Sequence, residues 1–382
     1  MKVWLLTNTP SPYQLELFKA LHQSGRVELD VRFMRLAHRG EKTVAPERDP
    51  GFPCRELPAV GPASWRDEFR FHPSAVREAF AGDHDFYVLS GHYTSLTFLL
   101  CALGLRLRRK KWAMWLERPW PEEYRPAWAP TVSARSSFAR TARRHILRTL
   151  LRAAPSVFCI GTAAIDAYRV LGADSNRLKL LPYFCDDERF RNADPAGIQA
   201  VRDRFGLAGK KVFLFSGQLI ERKGADVLID AFNRVAANRS DLALLVLGDG
   251  PMRPTLEGKA KAGVHFTGHV SQNELPAFFH AADVFVFPSR HDGWGVVLNE
   301  ACAAGLPIVT TSAVGAAHDL VKNGWNGFIV PRDDVAGFSG HMLYLADHPE
   351  SLAEFGKHST EMADRFSLQR GVEMFMECVA GT

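Results

Sequence analysis

Short apolar runs bounded by Gly, Pro and polar residues recur through most of the chain. Lys2–Leu6, Val27–Met34, Phe86–Leu89, Trp112–Leu116, Val157–Ile160 and Leu178–Leu181 are short and largely apolar, the pattern of buried strands. Gln14–His22, Ala134–Arg152 and Thr162–Val170 carry apolar residues at helical spacing instead. Residues 37–70 are rich in Pro, Gly and charge and predict a long loop with at most one short strand. The alternation breaks at Pro182-Tyr183-Phe184-Cys185-Asp186-Asp187 and then restarts. Val212–Phe215, Leu242–Leu247, Val264–Phe266, Val284–Phe287, Ile308–Thr310 and Phe328–Val330 predict strands, with helices at Ala225–Ala236, Leu275–Ala282 and Trp294–Ala304. Two successive blocks of this kind predict an α/β fold of two Rossmann-like, doubly wound domains facing across a cleft. The expected division is 1–185, a linker over 186–195, a second domain over 196–362, and a closing helix over 363–382 that packs back toward the first domain.

Composition adds a charge asymmetry. The 382-residue chain is 46% hydrophobic and 23% charged, which is globular composition, and its net charge is +5. Between Ala102 and Arg152 there are thirteen Lys or Arg against three Glu, so the remainder is net negative. Such a patch attracts an anionic partner: acidic lipid, phosphate or nucleic acid. No nucleic-acid recognition motif accompanies it, which argues against nucleic acid. The six cysteines are scattered without a C-x-x-C pair, as expected of a reduced cytoplasmic protein lacking a structural metal. The N-terminus reads as a first strand and not as a signal peptide. The longest apolar run, Leu96–Leu105, is half the roughly 20 residues of a membrane helix. The expectation is a cytoplasmic protein, soluble or peripheral on the inner face of the cytoplasmic membrane.

Three features admit two readings each. In Ala134–Arg152, Phe138, Ala142, Ile146, Leu147, Leu150 and Leu151 form an apolar stripe, with Arg140, Arg143, Arg144 and Arg148 mostly off it. This fits a membrane-surface helix or an ordinary packed helix with a basic solvated face. Asp83 and Asp85 form a D-x-D, but at the amino end of a strand, away from the carboxyl ends where ligands bind. They read better as a solvated turn than as a metal site. His92, in Ser90-Gly91-His92-Tyr93, does sit at a carboxyl end, where it can line a site or serve the packing.

The densest chemistry lies in Asp283–Gly305, DVFVFPSRHDGWGVVLNEACAAG. A strand empties through a Gly-containing loop into a helix, an arrangement suited to a phosphorylated ligand. Asp292 and Glu300 frame it, eight positions apart. Other loops at strand carboxyl ends carry Gly217, Gly248, Gly250 and Gly268, which let backbone approach a ligand closely. Arg222 and Lys223 add positive charge, so the set suits a diphosphate. Glu300, about 8 Å along the helix expected to start at Trp294, can accept hydrogen bonds from vicinal hydroxyls such as those of a ribose. A nucleotide-diphospho-sugar meets all of these demands. The first βα turn, Thr7–Tyr13, lacks G-x-G-x-x-G, which argues against a dinucleotide cofactor.

Several ordered stretches resemble family 4 retaining glycosyltransferases of the GT-B fold: SGQLIERKGADVLIDAF, LGDGPMR, FTGHVSQNELPAFFHAADVFVFPSRHDGWGVVLNEACAAGLPIVTT and NGWNGFIV, all within residues 212–330. TNTPSPYQ, SGHYT and VFCIGTAAIDAYRVLGADSNRLKLLPYFCDDERF in the first half resemble the family more loosely. The resemblance implies that the first domain takes the acceptor and the second the donor. It implies sugar transfer with retention of configuration, without metal or other cofactor, onto a glycan or lipid-linked acceptor in cell-surface polysaccharide or glycolipid synthesis. Lys223 would neutralise the diphosphate and Glu300 would hold the ribose. Asp292 and the backbone of Gly293, Trp294 and Gly295 would hold the donor sugar and phosphate. Gly217, Gln218, Arg222, Gly248 and Gly250 would lie along the donor, with His269 and Val270 beside the base. Glu117 and His92 are the candidates near the transferred sugar.

Two positions depart from the family pattern. Gln218 stands where an Arg is common, with Arg222 as a possible substitute, and Asp292 is one methylene shorter than the usual Glu. These departures keep open two alternatives: a sugar-nucleotide epimerase-like or phosphorylase-like enzyme, and a non-catalytic GT-B protein.

Overall fold

The computed structural model describes residues 1–36, 50–61, 70–119 and 134–382, with the side chains of 134–139 left aside. The described chain forms two compact units. One holds residues 1–119, 134–184 and Leu368–Thr382, and the other holds Cys185–Ser367.

The first unit begins with β1 (Lys2–Thr7), α1 (Pro12–Gln23), β2 (Glu28–Phe33) and β3 (Cys54–Glu56). Next come α2 (Pro73–Ala81), β4 (Phe86–Ser90), α3 (Leu96–Leu107), β5 (Trp112–Leu116) and α4 (Ala134–Ala153). β6 (Ser156–Cys159), α5 (Thr162–Val170) and β7 (Leu178–Leu180) complete the run. All seven strands pair in parallel, in the order β3-β2-β1-β4-β5-β6-β7. β1, β4, β5 and β6 are buried along nearly their whole length, which is why their sequences are apolar on consecutive positions.

The second unit opens with α6 (Asp187–Arg191) and α7 (Pro195–Arg204). It continues as β8 (Lys211–Ser216), α8 (Ala225–Val235), β9 (Leu242–Leu247), α9 (Arg253–Lys259), β10 (Val264–Gly268) and α10 (Leu275–Ala281). β11 (Val284–Phe287), α11 (Val297–Ala303), β12 (Ile308–Thr311), α12 (Ala317–Leu320), β13 (Gly327–Val330), α13 (Val335–Asp347) and α14 (Pro349–Arg365) follow. Its six strands are also all parallel, ordered β10-β9-β8-β11-β12-β13. The last helix, α15 (Leu368–Ala380), belongs to the first unit and packs on α1 and β7.

Two expectations need correction. Residues 186–195, expected as a linker, contain α6, because Asp186 caps it by accepting from the Arg189 amide at 3.3 Å. Asp194 caps α7 in the same way, with Pro195 pre-set for its first turn. The helix expected to close the chain within 363–382 is α15, which starts at Leu368, while α14 runs to Arg365. The helix expected from Trp294 starts at Val297, because Gly295 adopts φ +91° and interrupts helical geometry before it. Leu96–Leu105, too short to span a membrane, is most of α3, capped by Ser95, whose hydroxyl accepts from the Phe98 amide. Among the described residues, no helix is long and apolar enough to cross a membrane.

On α4, Leu147, Leu150 and Leu151 are buried while Arg140, Arg143 and Arg144 are exposed, and Arg148 is half-buried. Phe138 of the expected stripe lies outside the described side chains, as do residues 120–133 of the basic stretch. Asp83 and Asp85 are exposed, and Asp85 accepts from the Lys2 amide at 2.7 Å, as a turn at the amino end of β4 would.

Candidate functional site

In the second unit the strand order reverses between β8 and β11. β9 and β10 lie to one side of β8, and β11 to β13 to the other. A parallel sheet opens a crevice at such a switch point, beyond the strands' carboxyl ends. The loops after β8 and β11 carry Arg222, Lys223 and Asp292, which the structure brings together there.

After β8 the chain makes a single 3-10 turn, Glu221–Lys223, and Gly224 ends it at φ +69°. A Cβ on Gly224 would fall 2.1 Å from the Pro288 carbonyl oxygen, so only glycine lets the two loops approach. The loops are then laced together. The Arg222 carbonyl accepts from the Arg290 amide at 2.8 Å and from the Ser289 hydroxyl at 3.1 Å. The Arg222 guanidinium donates to the His291 carbonyl at 2.9 Å. Arg290 donates to the Glu221 carbonyl at 2.6 Å, and holds Asp226 at 2.7 Å and Asp333 at 2.6 Å. Thr311 fixes the far side by donating to the Ser289 carbonyl at 2.6 Å.

This frame aims two cations at one carboxylate. Lys223 Nζ donates to Asp292 Oδ2 at 2.5 Å, and Arg222 lies 3.5 Å from the same oxygen. Lys223 also lies 5.0 Å from the centre of the Phe287 ring, an apolar neighbour that favours a cation over its face. Burial pushes the Asp292 carboxyl up, but Lys223, Arg222 and His291 outweigh it and hold it below its usual range, so Asp292 is an anion. The Asp292 backbone is pinned as well. Its amide donates to Ala313 at 3.1 Å, and its carbonyl accepts from Gly315 at 3.1 Å.

The remaining expected residues sort by position. Gly217 and Gln218 follow β8, with the Gly217 amide donating to Leu247 at 3.0 Å and Gln218 exposed. Gly248 sits at φ +121°, and a Cβ there would lie 2.0 Å from the Gly217 carbonyl. Its amide donates to Gly268 at 2.8 Å, so the ends of β8, β9 and β10 pack backbone to backbone. Gly250 follows in the same loop. His269 is exposed and Val270 half-buried, directly after β10. Gly293 and Gly295 flank Trp294, whose indole is buried and donates to Asn299 at 2.9 Å. Trp294 therefore offers backbone, and not its ring, to a ligand. Glu300, half-buried, lies in the first turn of α11 instead of deep along a longer helix.

His92 and Glu117 belong to the first unit. That sheet reverses order between β1 and β4, and His92 lies beside this second switch point. Its amide donates to Asn8 Oδ1 at 3.3 Å. Gly91 at φ +117° allows the approach, since a Cβ would fall 2.2 Å from the same oxygen. Glu117 follows β5 and is exposed, accepting from the Tyr183 hydroxyl at 3.1 Å. Its backbone carbonyl accepts from the Tyr168 hydroxyl.

Sequence reasoning missed Ser289, Arg290 and Thr311, which build the frame through hydrogen bonds to neighbouring loops and to α8. Arg290 stood in a loop already singled out, but its partner Asp226 is 64 positions away, beyond any local motif.

Residues 210–348 match the family described as Glycosyl transferases group 1. Among curated relatives, alpha-D-kanosaminyltransferase of Streptomyces kanamyceticus is 27% identical over 237 residues, 60% of each chain. GDP-mannose-dependent alpha-(1-6)-phosphatidylinositol monomannoside mannosyltransferase of Mycolicibacterium smegmatis is 34% identical over 194 residues, 48% of this chain and 50% of that one. The chain thus spans 60% and 50% of the lengths of these two relatives. Among solved structures, Anabaena HepE in complex with UDP superposes over the whole of both chains with a TM-score of 0.78 at 18% identity. Residues 210–348 thus resemble the glycosyl transferases group 1 family, and the chain has the two-domain GT-B fold.

Proposed function

We propose that the chain is a glycosyltransferase that moves a sugar from a nucleotide-diphospho-sugar to a glycan or lipid-linked acceptor with retention of configuration. The observation that carries this reading is the cluster of Lys223, Arg222 and Asp292 at the sheet's switch point, inside the segment that matches the family. A diphosphate takes two fixed cations, and glycine at 217, 248 and 268 lets backbone approach a ligand closely at the strand ends. The GDP-mannose dependence for which the Mycolicibacterium relative is named, and the UDP held by the Anabaena structure, support the donor class.

In this reading Lys223 and Arg222 stabilise the departing diphosphate electrostatically, a task that calls for neither metal nor cofactor. Glu300 accepts from the ribose hydroxyls. Asp292 and the backbone of Gly293, Trp294 and Gly295 meet the donor sugar. Gly217, Gln218 and Gly250 line the phosphates, and His269 and Val270 lie beside the base. His92 and Glu117 serve the acceptor side. Transfer from a panel of sugar nucleotides tests the reading: Lys223→Ala and Glu300→Ala should each abolish transfer in a protein that stays folded. Turnover at the parent rate in both would sink it.

The acceptor is proposed to be presented at an anionic membrane, met by the basic stretch 102–152. Exposed Arg108, Arg109, Lys111, Arg140, Arg143 and Arg144 support this, each worth about 1 kcal/mol near such a surface. The role fits cell-surface polysaccharide or glycolipid synthesis on the inner face of the cytoplasmic membrane. Flotation with anionic liposomes at low salt should carry the protein upward. Failure to float would remove the idea.

A further inference from the structure

We infer that Asp292 is a built-in counter-anion: it pairs with Lys223, so a diphosphate must displace it. A free nucleoside diphosphate is thereby held more weakly than the complete donor. The inference rests on the reading of the Lys223 cluster as the diphosphate site. It goes further by assigning Asp292 a selective role against a ligand that lacks the sugar.

The geometry supports an exchange of partners. The Lys223 ammonium and the Asp292 carboxylate are 2.5 Å apart, and both side chains are about 15% exposed. The Asp292 backbone is tied to Ala313 and Gly315, so the loop does not carry the carboxylate away, and it can move only by rotating about its own short side chain. A diphosphate that takes Lys223 leaves this carboxylate beside the phosphate's own negative charge. The carboxylate then keeps only Arg222, 3.5 Å away, and a half-buried anion that loses its nearer cation is costly unless other donors replace it. The hydroxyls of a sugar next to the diphosphate are such donors. A free nucleoside diphosphate has none there, so it bears the whole repulsion. The reaction's own product is then released more readily than the donor, by a residue that need not touch the phosphate at all.

The test is calorimetric titration of UDP, GDP and ADP, and of their glucose or mannose conjugates, into the parent, Asp292→Asn, Lys223→Ala and the double variant. Asp292→Asn keeps the side chain's shape and removes its charge. The parent nucleoside diphosphate should bind about ten-fold more tightly to it, equivalent to about 1.4 kcal/mol. The conjugate should gain less, so the preference for the sugar-bearing ligand shrinks. In the Lys223→Ala background the same substitution should give a smaller gain, because the pair is already broken. Asp292→Ser, which also removes the charge, should repeat the tightening. Nucleotide binding that Lys223→Ala weakens but that both Asp292 variants leave unchanged or weaker overturns this inference alone. Absence of nucleotide binding to every form overturns both it and the reading beneath it.

Discussion

Arg290 grips Asp226 with two hydrogen bonds, 2.9 and 2.7 Å, and so fastens the loop after β11 to the first turn of α8. The same guanidinium reaches the Glu221 carbonyl, one residue before Arg222. Neither residue needs to meet a ligand, yet together they set where Arg222 and Lys223 point.

Replacing Arg290 by Ala should therefore cost stability and site geometry together. A bidentate pair with both partners largely out of water loses about 3 kcal/mol when one partner is removed. Urea unfolding should show that loss, and nucleoside-diphosphate affinity should fall with it. A variant as stable as the parent would mean that Arg290 only decorates the surface.

Two glycines with similar backbone angles should behave differently. Gly224 at φ +69° has the Pro288 carbonyl where a Cβ would go, while Gly172 at φ +88° has nothing within 4 Å. Gly172→Ala should cost about 1 kcal/mol for the left-handed backbone alone. Gly224→Ala should cost roughly 3 kcal/mol or more, since the loops must part. Thermal melts of the two variants, side by side, decide whether the loop contact is as close as described.

A network in the first unit predicts a pH dependence. Asp30 on β2 accepts from Arg32 at 2.6 Å and from His84 at 3.2 Å, and Arg32 also holds Glu78 at 2.8 Å. Burial pushes the Asp30 carboxyl up, but hydrogen bonds from His84 and Arg32 prevail and lower it from an ordinary 3.8 to about 2. A carboxyl depressed on folding stabilises the protein above its unfolded value and stops doing so as pH falls through the folded one. The parent should exceed Asp30→Asn in stability by a constant margin above about pH 4, and the margin should close toward pH 2. Chemical unfolding across that range checks it; a margin that widened on acidification would contradict the assignment.

Much of the second unit was readable from apolar runs because β8, β9 and β11 are buried on both faces. Their continuous Val, Leu and Phe stretches leave few alternatives. The Lys223–Gly224 turn and the Asp292 loop were readable because Gly and charge stand at strand carboxyl ends. The start of α11 was not, since Trp294 has helical spacing from Leu298 but spends its indole on Asn299. α2 escaped notice because His72 precedes it without a side-chain cap, and α6 because Asp186 looked like part of a linker. The Lys223–Asp292 pair spans 69 positions, and only the parallel pairing of β8 with β11 makes them neighbours.

The central claim is that this pair of loops holds a diphosphate through Lys223. Calorimetric titration of UDP-, GDP- and ADP-sugars into the parent and Lys223→Ala tests it most directly. One donor class should bind the parent, and the variant should lose about 2 kcal/mol, roughly 30-fold in affinity, while remaining folded. Equal affinity in the two proteins, or no binding of any donor to the parent, would contradict the account.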